Sequence, residues 1–471
     1  MDVFLSIFEF IKELGPSVMM PVIITVFGLF LRAGFGRSLR AGLTVGIGFI
    51  GLNLVIAAMS SNLGPAVQAM VEHFGLQLSV IDVGWPAAAA IAFASTVGLI
   101  IIPVGLVVNV LMLLTNTTQT VDIDIWDYWH FAFTGALVAI LTGSQVIGVI
   151  AAVLNMMIIM VIGDVTAPHV QKSLDMPGIS LPHGFSAAYA PIAWVFNKLF
   201  DAIPGVRNIN INMEKAQKRF GVFGEPIIIG TVLGIVIGIV AGYDVKAVLL
   251  LGVTMGAVLV LIPKMAALLM EGLLPISDAA SDLISTRFRN RGKIYIGLDS
   301  AVGVGHPITL SVSLILVPIA VFLAVILPGN SVLPFADLAV IPWMFVLITP
   351  LVRDNGFRAL VIGVIVLAVG LLISSNLAPL FTQAAINAKF AMPDGAAMVS
   401  SICDGANPLT WAIVRLQDLG IPGLIGVGVI AVGMAVWNRR RILKEAAELR
   451  QQGDLARSEE RRVGKECRSR W

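Results

Sequence analysis

Apolar runs recur along the whole chain and are separated by short polar segments. A transmembrane helix needs about 20 predominantly apolar residues, and by this criterion the pattern predicts eleven spans. The predicted spans are 16–34, 40–60, 89–115, 129–145, 146–164, 223–242, 246–264, 308–327, 337–352, 357–377 and 421–438. We therefore expect an all-α polytopic membrane protein.

The two ends of the chain depart from this pattern. Residues 1–15 mix acidic and basic positions with apolar ones, which favours a short interfacial helix. Residues 415–445 hold the last predicted span and a basic end. The segment 446–471 is polar and its last part has no periodicity, so we predict a disordered or non-native tail.

The order of features in 16–222 returns in 223–414. Each half has two spans, an amphipathic stretch (61–78 in the first half), a polar loop and three further spans. Because five is an odd number of spans, the second half would cross the membrane in the opposite orientation, as in the inverted repeats of secondary transporters. The polar loops, at Asp82 and Asp299, would then meet near the middle of the membrane.

Lysine and arginine residues are concentrated on alternate connections between the predicted spans. Such residues mark the cytoplasmic side of a membrane protein. They place the N-terminus outside the cell, and an odd number of spans then places the C-terminus in the cytoplasm.

Composition strengthens the membrane prediction. Of 471 residues, 57% are hydrophobic and 13% are charged, against about 25% charged in typical soluble domains. This composition excludes a soluble globular enzyme, a disordered protein and a nucleic-acid-binding protein. The two cysteines, Cys403 and Cys467, exclude a disulfide framework and a cysteine-rich metal site, and we predict neither a metal nor a cofactor.

Polar residues in or beside the spans are the candidates for a binding site. A charge at the centre of a bilayer costs about 2.5–3.5 kcal/mol on insertion scales, and a neighbouring glycine or proline marks a broken helix or a re-entrant loop. The candidates are Asp82, Trp85, His130, Thr134, His183, Glu225, Asp299, His306 and Asn407. We expect Asp122, Asp124 and Asp127 to lie in solvent on the cytoplasmic face instead.

The candidates of the first half each have a structural alternative. Asp82 either accepts hydrogen bonds from substrate hydroxyl groups, with Trp85 stacking on a sugar-like face, or caps a helix beside an interfacial tryptophan. His130 and Thr134 lie one helical turn apart on one face, and His130 is otherwise an interfacial side chain. His183, between a proline and a glycine, either approaches a substrate hydroxyl or lies in an aqueous turn.

The candidates of the second half also have structural alternatives. Glu225 either binds substrate or complements the positive end of a helix. Asp299 and His306 flank a flexible apolar loop, and Asn407 follows Asp404 in a polar turn. Carboxylates accept hydrogen bonds from hydroxyl groups, and imidazole can donate or accept. Because lysine and arginine are nearly absent from the spans, we predict a neutral, hydroxyl-rich substrate.

Short segments in a specific order resemble a known family. They are Val83-Gly84-Trp85-Pro86, Trp129-His130 with Thr134-Gly135-Ala136-Leu137, Pro182-His183-Gly184, Phe223-Gly224-Glu225-Pro226, Ile296-Gly297-Leu298-Asp299 and Pro408-Leu409-Thr410-Trp411. Together they are similar to the galactitol-type membrane component, IIC, of the bacterial phosphoenolpyruvate-dependent sugar phosphotransferase system. The likeness runs through residues 1–445.

The resemblance implies a fold shared with the ascorbate-type permeases. Each protomer of a homodimer would have a fixed scaffold domain and a moving core domain with two re-entrant hairpins, and transport would be elevator-like. The protein would lie in the bacterial inner membrane and use separate cytoplasmic IIA and IIB partners. IIB would carry a phosphocysteine and phosphorylate the polyol in the inward-open site.

The resemblance also implies which residues form the site. They are Trp85, His130, Thr134, His183, Glu225 and Asp299, to which the pattern of polar residues adds Asp82, His306 and Asn407. His183, Glu225 or Asp299 would orient the attacking hydroxyl. The chain has no cysteine placed for phosphoryl transfer, so it would be the transport subunit, and whether it is itself an enzyme stays open.

Two other functions fit parts of the pattern. An ion-coupled secondary transporter for a polar solute would use buried carboxylates as proton or sodium sites. An intramembrane enzyme, such as a lipid-modifying transferase, would need a catalytic cluster that faces lipid, and the repeat argues against it.

Overall fold

The structure is a computed structural model that describes residues 16–74, 78–122, 124–209, 225–288, 294–304, 306–393 and 396–468. The predicted interfacial helix at 1–15 lies outside these residues. The apolar runs within them are helical, because a helix pairs its own backbone N–H and C=O groups where water is absent.

The first half combines long helices with three short strands. In chain order its elements are α1 (Pro16–Phe30), α2 (Phe35–Phe74), β1 (Val80–Asp82), α3 (Trp85–Ala94), α4 (Thr96–Leu114), β2 (Thr120–Asp122), a 3-10 turn (Ile125–Asp127), α5 (Tyr128–Thr142), α6 (Gln145–Leu174), β3 (Ile179–Ser180), α7 (Gly184–Ala188), α8 (Ala190–Ala202) and a 3-10 turn (Val206–Asn208).

The second half has nearly the same order of elements and adds one helix. Its elements are α9 (Pro226–Val240), α10 (Val245–Phe288), β4 (Tyr295–Gly297), α11 (Ala301–Val304), α12 (Pro307–Ile326), β5 (Val332–Leu333), a 3-10 turn (Ala336–Val340), α13 (Ile341–Leu351), α14 (Gly356–Asn387), β6 (Met398–Ser400), a 3-10 turn (Asp404–Ala406), α15 (Pro408–Leu416), a 3-10 turn (Gln417–Leu419) and α16 (Ile421–Arg468). Matching helices have similar lengths: α1 and α9 have 15 residues each, and α6 and α14 have 30 and 32.

The two halves interlock through two parallel sheets. In sheet A, β1 of the first half lies between β5 and β6 of the second, with Val80 opposite Val332 and Met398. In sheet B, β4 of the second half lies between β2 and β3 of the first. Each sheet therefore takes its central strand from one half and both outer strands from the other.

Five helices in the described part of the chain are long and apolar enough to cross a membrane: α4, α6, α12, α14 and residues Ile421–Glu448 of α16. The chain is therefore a helical membrane protein. All eleven predicted spans fall on helical segments, but several of these helices are short.

One span prediction was wrong. The stretch 89–115, predicted as a single span, is divided between α3 and α4 at Ser95. The Ser95 hydroxyl accepts a hydrogen bond from the Gly98 backbone N–H, which caps the start of a new helix. The amphipathic stretch predicted at 61–78 is a continuation of α2 up to Phe74, and α16 continues to Arg468, where we predicted a disordered tail.

Helix α5 is enclosed by the rest of the protein. Every residue from Tyr128 to Ala139 is buried, although a membrane-facing helix would expose an apolar side to lipid. With 15 residues at about 1.5 Å per residue, α5 is also shorter than the hydrocarbon core of a bilayer. It carries His130 and Thr134 into the interior.

Candidate functional site

Sheet B assembles the candidate site because the strands are parallel. The carboxyl ends of its three strands meet at one edge, and each strand is followed by polar residues. Asp122 ends β2, Asp299 follows β4 by two residues, and His183 follows β3 by three residues. A strand of the second half thus brings Asp299 to the residues of the first half.

Two buried histidines form the centre of this site. His130 lies in the first turn of α5, and His183 precedes α7, where its Nδ1 accepts a hydrogen bond from the Ser186 backbone N–H. The Nε2 atoms of the two rings are 3.1 Å apart. The rings meet edge to face, with centroids 4.3 Å apart.

The hydrogen bonds determine where the imidazole protons lie. Because the Ser186 N–H must donate, His183 Nδ1 is the acceptor, and in the neutral ring the proton is on Nε2. His183 Nε2 then donates to His130 Nε2, and His130 Nδ1 carries the proton that it donates to Asp404 at 2.7 Å. The two neutral rings therefore form a chain of hydrogen bonds that ends at Asp404.

Asn407 holds this chain in place. Its amide nitrogen donates to the Asp404 carboxylate at 3.0 Å and to the Gly184 carbonyl at 3.1 Å. Its amide oxygen accepts from the backbone N–H groups of Leu409 and Thr410 and so caps α15. Both ends of the amide are occupied, and Asn407 ties the second half to the segment that carries His183.

Asp299 lies beside the histidine pair and is also held by backbone groups. Its Oδ1 accepts from the Ala301 N–H at 2.6 Å and is 3.7 Å from His183 Nε2. The Asp299 N–H donates to Asp124 Oδ2, and Asp124 Oδ1 accepts from the Trp126 N–H. The structure thus brings together His130, His183 and Asp299.

The prediction that Asp122, Asp124 and Asp127 lie in solvent was wrong. Asp122 and Asp127 are fully buried, because β2 pairs with β4 and the following 3-10 turn packs beneath α5. The carboxylate oxygens of these two residues have no hydrogen-bond partner among the described residues. They are buried acceptors for which the described residues supply no donors.

Thr134 lies one turn along α5 in a polar network of its own. Its hydroxyl is 2.8 Å from the Thr410 hydroxyl and accepts from the Asn155 amide at 2.7 Å. The Asn155 amide oxygen is buried without a partner among the described residues. Thr134 therefore continues the polar face of α5 away from the histidines.

Asp82 lies at the carboxyl end of sheet A. Its carboxylate accepts from the backbone N–H groups of Gly84, Phe335 and Asp337, at 3.1, 2.9 and 2.9 Å. These donors favour a structural role over the predicted contact with substrate hydroxyl groups.

Asp337, which sequence reasoning missed, completes the end of sheet A. It accepts from the backbone N–H groups of Trp85 and Cys403 and from the Ser401 hydroxyl. The half-buried Trp85 ring packs edge to face against Trp126, with centroids 6.1 Å apart. Since Trp126 lies in the turn that holds Asp127, Trp85 borders the sheet B site.

Two predicted site residues lie elsewhere. Glu225 is exposed at the start of α9, and that helix packs mainly against α10. His306 is half-buried before α12, where its Nε2 is 3.9 Å from Asp354. Asp354 in turn accepts from the Ser173 hydroxyl.

One group of site residues, Asp127, His130 and His183, does not fit a metal ion in its present hydrogen-bonding pattern. Asp127, His130 and His183 offer ligand atoms within 4.8 Å of one another. A metal would need the lone pair of His183 Nε2, because the Ser186 N–H already occupies Nδ1. That hydrogen bond places the proton on Nε2, so the set is better suited to hydrogen-bonding a neutral ligand.

Comparison with known proteins identifies the family. The sequence profile of EIIC-GAT, described as the sugar-specific permease component of the phosphotransferase system (PTS), matches residues 9–395. The chain belongs to this family. The family and the apolar helices indicate an integral protein of the inner membrane that works with the IIA and IIB proteins of the system.

Two relatives from Escherichia coli K12 match almost the whole chain. One, described as a putative permease IIC component, is 41% identical over 439 residues, which are 93% of this chain and 100% of the relative. The other, the galactitol-specific EIIC component of the PTS, is 41% identical over 441 residues, 93% of this chain and 97% of the relative. The resemblance to this family found in the sequence motifs is confirmed.

Sequence reasoning missed Asp127 and gave Asp404 no role in the site. One signal was available, since Asp127 and His130 are three residues apart and lie on one face of a helical segment. The second was the proline and glycine content around Asp404, which is typical of broken helices. Neither signal reveals which carboxylates find donors, because those donors come from distant parts of the chain.

Proposed function

We propose that this EIIC-GAT protein is the galactitol permease subunit of a phosphotransferase system. It would carry galactitol across the inner membrane and release it as galactitol phosphate after transfer from the phosphocysteine of IIB. The observation that carries the proposal is a buried set of unpaired acceptors beside two histidines, in a chain that is 41% identical to a galactitol-specific component.

The chemistry of the site supports a polyol. Galactitol is neutral and has a hydroxyl on every carbon, so it can donate to carboxylates and accept from imidazole N–H groups. The site offers the acceptors Asp122, Asp127 and Asp299 and the donor His183. We assign substrate binding to these residues with His130, Thr134 and Trp85, and Asn407 positions them.

The transport mechanism that we propose is the elevator mechanism of a homodimer. The interlocked sheets and the repeated order of elements support inverted repeats at 16–222 and 223–414, with α16 as an additional span. We keep eleven spans, an outside N-terminus and a cytoplasmic C-terminus as parts of this proposal.

Glu225 and His306 have a different place in the proposal. Neither contacts the histidine pair in this structure, and each immediately precedes a helix of the second repeat, α9 or α12. In an elevator cycle the core domain moves past the scaffold, so we assign these residues to a different stage of transport. Alanine variants that lower transport without lowering galactitol binding would support this assignment.

The test is uptake of labelled galactitol by membrane vesicles that contain the protein, with and without phosphoenolpyruvate and the IIA and IIB partners. We expect galactitol phosphate inside only when the partners are present. Partner-dependent phosphorylation of a different polyol would change the substrate and keep the class. Uptake of unmodified galactitol driven by an ion gradient would contradict the proposal and favour an ion-coupled transporter.

A further inference from the structure

Asp127 is a buried carboxylate beside the histidine pair that has no hydrogen-bond partner among the described residues. It ends the 3-10 turn that leads into α5, three residues before His130. Its carboxylate lies within 4.8 Å of one ring nitrogen of His130 and of His183. Both of its oxygens lack a hydrogen-bond partner among the described residues, and a buried unpaired carboxylate is costly.

The spacing between Asp127 and the histidines suits a hydroxyl group. A hydroxyl oxygen forms hydrogen bonds of about 2.7–2.8 Å, so one hydroxyl between two polar groups holds them roughly 4.5–5.5 Å apart. A substrate hydroxyl could therefore donate to Asp127 and at the same time accept from the His183 Nε2–H in place of His130, to which that group donates in this structure. No side chain in the described part of the chain fills that role.

The neighbouring polar groups are already in use. Both ring nitrogens of His130 and of His183 take part in hydrogen bonds. Asp404 accepts from His130 and Asn407, and Asp124 accepts from two backbone N–H groups. These hydrogen bonds from the protein make each of these groups a weaker proton acceptor than a carboxylate without donors.

Asp299 is the closest rival. Its carboxylate accepts from the Ala301 N–H and faces His183 Nε2. Hydrogen bonds to the charged form of a carboxylate make it a weaker base. Asp127 has no such donors and is therefore the better proton acceptor of the two.

We propose that Asp127 binds the attacking hydroxyl of the polyol and takes its proton during phosphoryl transfer. This inference rests on the proposed function. The hydroxyl oxygen bonds to phosphorus while the bond between phosphorus and the cysteine sulfur of IIB breaks, and the sulfur leaves with the electron pair as a thiolate. The hydroxyl proton passes to Asp127, which releases it to water when the polyol phosphate leaves.

The test uses Asp127→Asn, which keeps the size of the side chain and one acceptor oxygen but removes the base. Purified protein in proteoliposomes is assayed for equilibrium binding of labelled galactitol and for phosphorylation by phosphorylated IIB at saturating galactitol. We expect binding within about threefold of the wild type and a phosphorylation rate at least about 100-fold lower, since general-base catalysis contributes about 10²–10⁴. Normal binding with a phosphorylation rate near that of the wild type would overturn the proposal.

Two further variants separate chemistry from structure. Asp418→Asn removes an exposed carboxylate paired with Arg415 and should leave both assays unchanged. Asp127→Glu retains a carboxylate and should recover part of the lost rate. If Asp127→Glu and Asp127→Asn lower binding, rate and thermal midpoint equally, Asp127 is structural and the proposal fails.

A variant that does not fold leaves a measurement on the wild type. A carbodiimide reagent modifies carboxyl groups, and peptide mass spectrometry quantifies the modification at Asp127 with and without galactitol. Protection of Asp127 by galactitol, with no protection of Asp418, supports the proposal, and equal modification in both conditions contradicts it.

The outcomes also separate this inference from the proposed function. Wild-type protein that fails to phosphorylate galactitol with all partners present contradicts the function. Wild-type and Asp127→Asn proteins that phosphorylate galactitol equally fast contradict the inference alone.

Discussion

Buried aspartates lie at the carboxyl ends of both sheets, but they differ in the hydrogen bonds that they accept from the protein. At sheet A, Asp82 and Asp337 each accept three hydrogen bonds from the protein. At sheet B, Asp122 and Asp127 accept none from the described residues. All four side chains are fully buried, so burial does not distinguish the two ends.

The difference indicates that the protein itself supplies the hydrogen-bond donors to the aspartates of sheet A, whereas a ligand supplies them at sheet B. Both ends have a central strand from one half of the chain and outer strands from the other. Sheet A uses its aspartates to join the halves through backbone donors. Sheet B places unpaired acceptors beside the histidine pair, and such buried groups persist where function requires them.

The largest effect that we predict is at sheet A. Asp82→Ala leaves three buried backbone N–H groups without an acceptor, and each such group costs about 1–3 kcal/mol. We expect a loss of roughly 3–9 kcal/mol, a large part of the 5–15 kcal/mol that typically stabilises a protein. The measurement is the yield of monodisperse protein on size-exclusion chromatography in detergent.

The control for Asp82→Ala is Asp122→Ala at the equivalent edge of sheet B. Because no described residue donates to Asp122, its truncation should leave the yield close to that of the wild type. Equal losses of yield in the two variants would show that the two ends are not different, and the comparison would fail.

Much of the fold follows from the sequence because helix formation depends on properties of each segment alone. The apolar runs give helices wherever they occur, because length and hydropathy are properties of one segment. His130, His183 and Asp299 were also predicted as neighbours, from flanking glycine and proline and from the resemblance to the family.

The sequence does not reveal which carboxylates are buried and which of them accept hydrogen bonds from the protein. Two of the three donors to Asp82 come from Phe335 and Asp337, which are 253 and 255 positions away along the chain. Asp122 was expected in solvent because a run of aspartates is typical of an exposed loop. Its burial results from pairing between β2 and β4, and three-residue strands leave little signal in an apolar sequence.

A smaller effect of opposite sign is expected at sheet B. Asp122→Asn removes a buried carboxylate that has no donor among the described residues, so the protein without substrate should keep its thermal midpoint or gain about 2 °C. A change of about 1 kcal/mol shifts the midpoint by about 2–4 °C at 150–250 residues and by less in a longer chain. The rise in midpoint on adding galactitol should shrink, because an acceptor for hydroxyl groups is weaker. Asp82→Asn is the matched control and should lower the midpoint; a similar fall for Asp122→Asn would make Asp122 structural.

The smallest effect on stability is expected at a carboxylate outside both sheets. It shows how much an ordinary ion pair stabilises this protein. Asp201 in α8 lies 2.8 Å from Arg358 and 3.1 Å from Arg353. The hydrogen bond from Arg358 lowers the pKa of Asp201 below its ordinary value of 3.8. A lowered pKa means that the pair stabilises the folded protein above about pH 4, and that this contribution is lost as the pH falls through the folded-state pKa.

Asp201→Asn should therefore lower the thermal midpoint slightly at pH 7 and leave it unchanged relative to the wild type at the acid end of the range. The effect is small because Asp201 is partly exposed and solvent screens the pair. Thermal midpoints of both proteins in detergent between about pH 3 and pH 7 provide the measurement. If Asp201→Asn destabilised the protein at pH 7 as much as Asp82→Ala does, a surface ion pair would contribute as much stability as the backbone donors of sheet A. The contrast between the two sheets would then lose its meaning.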